Sequence, residues 1–146
     1  MLFFVVTTPM EAVRHSILVP ADTSKLCELR EALFRLSQEH GVPSKAMRRM
    51  VLAIDEALAN VIEHAHLQEG DKEIELSLEI THDKIEAEIA DKGMPFDPCQ
   101  CGKHWDRNTY PRRGFGLYMI HMIVDSMEYE RTSEGRNVLT LTKNLE

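Results

Sequence analysis

VLAIDEALANVIEHAH, residues 51–66, is the stretch from which the rest of the chain is read. An α-helix turns about 100° per residue, so Met47, Val51, Ile54, Leu58, Val61 and Ala65 fall on one stripe that faces a core. Glu56, Asn60 and His64 recur at every fourth position on another face, with Ala53 and Ala57 beside them, which makes that face polar but low in bulk. A carboxylate and a carboxamide one turn apart, with room next to them, can hold a cation or a small polar ligand. The same pattern also suits an ordinary amphipathic helix with a solvated back.

The chain has 146 residues, the size of one domain, and is long enough to bury a core without metals or disulfides. With 43% hydrophobic and 28% charged residues it has the make-up of a soluble globular protein. A formal net charge of -7 argues against general affinity for nucleic acid or anionic membrane, so any basic patch must be local. Three cysteines are too few for a secreted disulfide framework and fit a reducing cytosol. The opening MLFFVVTTPM lacks a basic n-region, and its apolar run is too short for a signal peptide or a membrane span, so neither export nor anchoring is expected.

Outward from the central stretch, Leu2 to Thr8 and His15 to Val19 read as strands, the second closed by Pro20. Asp22, Thr23 or Ser24 can cap a helix that carries Leu26, Leu29, Leu33 and Leu36 and stops at Gly41 and Pro43. Ser44 can cap the next helix, which runs to about His66. The period then changes to two: Ile74, Leu76, Leu78 and Ile80 alternate with polar residues, and after a turn at His82 and Asp83 so do Ile85, Ala87 and Ile89. Continuing that parity one step puts Asp91 on the buried side, where a carboxylate needs a hydrogen-bond donor. A weakly periodic segment from Cys99 to Arg113 is long for a loop in a compact domain. RRGFG then opens a helix with Leu117, Ile120, Met122 and Val124 apolar, and two strands, about Ser126 to Arg131 and Val138 to Thr142, meet at a turn of Glu134 and Gly135. The order suits an α+β domain with a mixed, mostly antiparallel sheet and its helices on one face.

Set side by side, DEALANVIEHA (residues 55–65), ADKGMPFDP (90–98) and RRGFGLYMIHMIVD (112–125) resemble the N box, G1 box and G2 box of the histidine-kinase-like (GHKL) ATPases, the superfamily that includes DNA gyrase, the Hsp90 chaperones and MutL. The branch most resembled is that of the anti-sigma-factor serine/threonine kinases, and the layout matches from about Ser16 to Thr142. Each box alone is a weak signal; their order, spacing and placement on helix, strand end and helix start make a strong one. The resemblance implies a single domain over residues 1–146 with the two-layer α/β sandwich of the Bergerat ATP-binding fold, and an ATP lid over about 92–113.

It also implies roles. Asn60 matches the asparagine that helps bind Mg²⁺ between protein and triphosphate, and a neutral oxygen suits that hard cation. Glu56 matches the position implicated as general base on the attacking hydroxyl; otherwise it is a solvated helix carboxylate. Asp91 matches the acceptor of the adenine amino group, which favours adenine over guanine; its plainer reading is a turn-forming residue before Gly93. Gly93 lets the backbone approach the base, and Gly114 and Gly116 match the glycines whose amides, at a helix N-terminus, receive phosphates. Many relatives have a second glycine where this chain has Pro95, which tells against a chaperone or gyrase role more than against nucleotide binding. Lys103, Arg107, Arg112 and Arg113 form a basic cluster in the lid, and an arginine there can reach the γ-phosphate or simply be surface charge. Cys99, Cys101 and His104 lack a fourth zinc ligand, since Cys27 lies on a helix that reads as core, so no structural zinc is expected.

The expected activity is that of a cytoplasmic protein kinase using Mg-ATP to phosphorylate a serine or threonine of an anti-sigma-factor antagonist of the STAS type, and otherwise sequestering a sigma factor, in transcription regulation. A homodimer is implied by relatives that pair through the sheet. A non-catalytic nucleotide-binding interaction module is the alternative. The catalytic domain of a two-component sensor histidine kinase is a third reading, but it needs a phosphoacceptor histidine on a helical hairpin, and His15 and His40 have no such context.

Overall fold

In the computed structural model, residues 12–64, 73–95, 97–100 and 115–145 are described. The strand expected at Leu2 to Thr8, most of the lid, and Arg112, Arg113 and Gly114 lie outside them, as do Ala65 and His66.

Period-two alternation builds the sheet. Strands β2 (Glu73–Ile80) and β3 (Lys84–Asp91) bury Ile74, Leu76, Leu78, Ile80, Ile85, Ala87 and Ile89 on one face and turn Glu75, Glu79, Glu86 and Glu88 to the other. Strand β1 (Val13–Pro20) flanks β2, while β4 (Ser126–Arg131) and β5 (Asn137–Asn144) complete the order β1-β2-β3-β5-β4. Every pairing among the described strands is antiparallel, in keeping with the mostly antiparallel sheet expected. The reason is the connectivity: both hairpins turn tightly, and the two helices between β1 and β2 return the chain to pair antiparallel. On the open face, acidic residues are partly matched across strands, with Arg14 on Glu79 at 2.6 Å and Arg136 on Glu75 at 2.7 Å.

Among the described residues, three α-helices cover the other face. Asp22 caps a single 3₁₀ turn (Thr23–Lys25), its carboxylate accepting from the Ser24 amide at 3.0 Å, and helix α1 (Leu26–Glu39) follows with Leu26, Leu29 and Leu33 buried. Cys27 is exposed on α1 rather than in the core. Gly41 ends α1 at φ 64, a left-handed conformation that other residues adopt at a cost. Helix α2 (Ser44–His64) begins with Ser44 as its first residue rather than its cap: the Pro43 carbonyl takes the first helical bond, from the Met47 amide at 3.1 Å.

Met47, Val51, Ile54 and Leu58 are buried, as the stripe predicts. Met50, Ala53, Ala57 and Ile62 are buried too, and helix α3 (Phe115–Ile123) packs on α2. Within α3, Leu117 and Ile120 are buried but Met122 is 69% exposed, and Val124 lies beyond the helix end. Each fully buried Leu or Ile contributes roughly 1.5–3 kcal/mol, so this layer of aliphatic side chains between helices and sheet is what holds the cleft described next in shape.

Candidate functional site

A cleft lies where α2, α3 and the ends of β3, β4 and β5 meet. Its walls are apolar: Ala57 and Val61 from α2, Ile89 and Leu139 from the sheet, Leu117 and Ile120 from α3. Four polar side chains converge on it, those of Asn60, Asp91, Tyr129 and Asn137, with Met94 and Pro98 at its edge. A mostly apolar slot with a few fixed polar groups is the usual form of a small-molecule site.

Asp91 is the last residue of β3, and strand parity turns it inward, where it is 4% exposed. Its Oδ1 accepts from the Gly93 amide at 2.8 Å and from Asn137 Nδ2 at 3.0 Å. The donors that burial demands are thus supplied, one by the turn itself and one by the neighbouring strand. Among the described residues nothing donates to Oδ2. Gly93 is buried; its amide serves Asp91, and its carbonyl accepts from Asn137 Nδ2 at 3.1 Å and from Arg131 at 3.3 Å.

Asn60 projects from α2 into the same cleft. Its Nδ2 is buried and has no hydrogen-bond partner among the described residues. An orphaned amide of this kind costs about 1–3 kcal/mol in desolvation. With no protein partner holding the nitrogen, either end of the carboxamide can turn to what binds.

Glu56, one turn before Asn60, does not line the cleft; it lies against α3. A Cβ built on Gly116 would overlap Glu56 Oε2 and come within 3.2 Å of its Cδ. Glycine at 116 therefore makes room for the acid, a link between two segments 60 positions apart in sequence that spacing alone does not reveal. Desolvation, aided by the adjacent Asp55, pushes the Glu56 carboxyl above the ordinary value of 4.5. Of the other expected site residues, Arg112, Arg113 and Gly114 fall outside the described residues. Asp97 accepts from the Cys99 amide at 2.9 Å, ahead of a short 3₁₀ turn (Pro98–Gln100).

Sequence reading missed Asn137, Tyr129 and Arg131. Asn137 opens β5 directly opposite Asp91 and Arg131 in register, and its Oδ1 accepts from Tyr129 Oη at 2.7 Å and from Arg131 at 2.8 Å. A signal was available: extending the Leu139 and Leu141 alternation back two positions puts Asn137 on the inward face, by the same parity that found Asp91.

Comparison with known proteins bears on the family and the fold. Residues 19–143 match the family model described as the histidine kinase-like ATPase domain. A serine-protein kinase RsbW from Bacillus cereus strain AH187 is 27% identical over 137 residues, covering 88% of this chain and 82% of the relative. Among solved structures, the RsbU and RsbW domains of a Mycobacterium tuberculosis protein superpose with a TM-score of 0.66 at 20% identity over 91% of this chain, which spans only 32% of that longer chain. The SiaB–SiaC complex from Pseudomonas aeruginosa gives a TM-score of 0.51 at 13% identity, with 89% of each chain covered. At those identities the two structures speak for the fold, a two-layer α+β sandwich. The family model spans most of the chain, and the chain belongs to the histidine kinase-like ATPase domain family.

Proposed function

We propose that this chain is a single-domain, cytoplasmic, ATP-dependent serine/threonine kinase that phosphorylates an anti-sigma-factor antagonist and, when not doing so, holds a sigma factor inactive. The observation that carries the nucleotide part is the convergence of an inward carboxylate, Asp91, and an unpartnered carboxamide, Asn60, on one apolar cleft. Similarity to serine-protein kinases RsbW supports the kinase class, and the protein partners follow from the branch that the three boxes resemble. No helix among the described residues is long and apolar enough to cross a membrane, which fits the proposed location.

In this reading the base enters between the apolar walls and gives its exocyclic amino group to Asp91, while a guanine carbonyl at that position would face an acceptor and be repelled. Gly93, having no side chain, keeps the floor open to the ring. Asn60 would hold a magnesium ion through its neutral side-chain oxygen, and the ion would supply positive charge to the triphosphate. The α3 start, with Gly114 and Gly116, would receive phosphates on backbone amides, and Arg112 and Arg113 would bring positive charge to them.

Glu56 then acts as general base. The target hydroxyl attacks the γ-phosphorus, the bond from that phosphorus to the β,γ-bridging oxygen breaks, ADP leaves, and the hydroxyl proton passes to the Glu56 carboxylate. A carboxyl raised by desolvation is a stronger base than an exposed one. The deciding experiment supplies labelled ATP and purified STAS-type antagonists: transfer of label to a serine or threonine supports the kinase, and nucleotide binding without transfer to any of them would assign the chain instead to a non-catalytic interaction module.

A further inference from the structure

We infer that Asn137 is the positioning residue that sets base selectivity in this cleft, acting through Asp91; this rests on the nucleotide reading above. Asn137 is 4% exposed, and every polar atom of its side chain is used. Its oxygen accepts from Tyr129 Oη at 2.7 Å and Arg131 at 2.8 Å, and its nitrogen faces Asp91 Oδ1 at 3.0 Å, the Gly93 carbonyl at 3.1 Å and the Met94 carbonyl at 3.2 Å. Arginine can only donate, so the atom it touches must be the oxygen, and the nitrogen must face the carboxylate and the two carbonyls. The amide has one possible orientation.

That orientation has two consequences for the site. The turn from Asp91 to Met94 is tied to the start of β5 through a single amide group, which fixes the height of the cleft edge. Asp91 Oδ1 is saturated by two donors, so rotation of the carboxylate would break both bonds and leave buried groups unpaired. Oδ2 is left as the acceptor available to a ligand. Arg131 and Tyr129 pull on the Asn137 oxygen and polarise its N–H toward Asp91, so the chain of bonds is stiffer than its separate links. Selectivity for a base with an amino group thereby depends on a residue that sits behind the one that touches it.

The test is competition of ATP and of purine riboside triphosphate, which lacks the amino group, against a fluorescent ATP analogue on the full chain. Wild type is expected to prefer ATP. Asn137→Ala is expected to cut that preference by about tenfold or more, and Arg131→Met, which removes one donor from an Asn137 left in place, by about two- to fivefold. If both nucleotides weaken equally and the preference survives in both variants, Asn137 merely ties strands together and the inference is overturned while the nucleotide site stands. If wild type itself shows no preference, Asp91 does not read the amino group and this inference falls with that role; if neither nucleotide displaces the analogue, or the analogue does not bind, the nucleotide reading itself fails. Should Asn137→Ala not fold, Arg131→Met alone decides between these outcomes.

Discussion

The Glu56 carboxylate occupies the space that a side chain at Gly116 would need. One residue comes from the middle of α2 and the other from the first turn of α3, so the packing of those two helices sets where the acid can be. Gly116 is a helical glycine without a positive φ, and its backbone can accept alanine.

Gly116→Ala is therefore expected to separate stability from activity. Alanine is the better helix former by about 1 kcal/mol, which offsets the displacement of a flexible carboxylate end, so the melting temperature should hold or rise. Phosphotransfer should drop by about 10- to 100-fold as Glu56 is pushed from its place. A large loss of stability with normal specific activity would show that the Glu56 position is incidental.

Glu56→Gln should bind ATP as wild type does and lose about 10²–10⁴-fold in transfer rate, measured with labelled ATP and antagonist. In wild type the rate should fall as pH drops through the raised carboxyl value, because the base is then protonated. The folded carboxyl sits above its unfolded value of 4.5, so protonation favours the folded state: this group's contribution is fully present below that value and is lost as pH rises through the folded one. The substitution should accordingly stabilise the protein relative to wild type near neutral pH and gain nothing in strong acid, as thermal melts across pH can check.

Asn60→Ala removes a buried donor that has no partner among the described residues, so stability without ligand should be unchanged or up by about 1 kcal/mol. Wild type should melt higher with Mg-ATP than without, while the variant should lose most of that increment. A melting shift equal to that of wild type would remove Asn60 from metal and nucleotide binding.

The helix–sheet layer predicts a sharp contrast within α2. Ile54 is fully buried and Leu52 is 43% exposed. Ile54→Ala should cost about 2–5 kcal/mol by denaturant unfolding, and Leu52→Ala within about 0.5 kcal/mol. Equal costs would mean that α2 presents a different face to the sheet.

The sequence by itself determined the parts governed by local period. Alternation in residues 73–91 named the buried face of β2 and β3, and one further step of the same parity turned Asp91 inward, because side-chain direction along a strand depends only on position. Helical spacing likewise found the Met47, Val51, Ile54 and Leu58 stripe. Tertiary structure decided what no local period encodes. The seating of Glu56 on Gly116 depends on α3 packing on α2. The clamp of Tyr129, Arg131 and Asn137 on Asp91 depends on β5 pairing with β3 on one side and β4 on the other, which places residues 46 positions apart in hydrogen-bond contact. Such contacts form between side chains whose chain segments meet only after the sheet closes, so the acid was visible in the sequence while the residues that aim it were not.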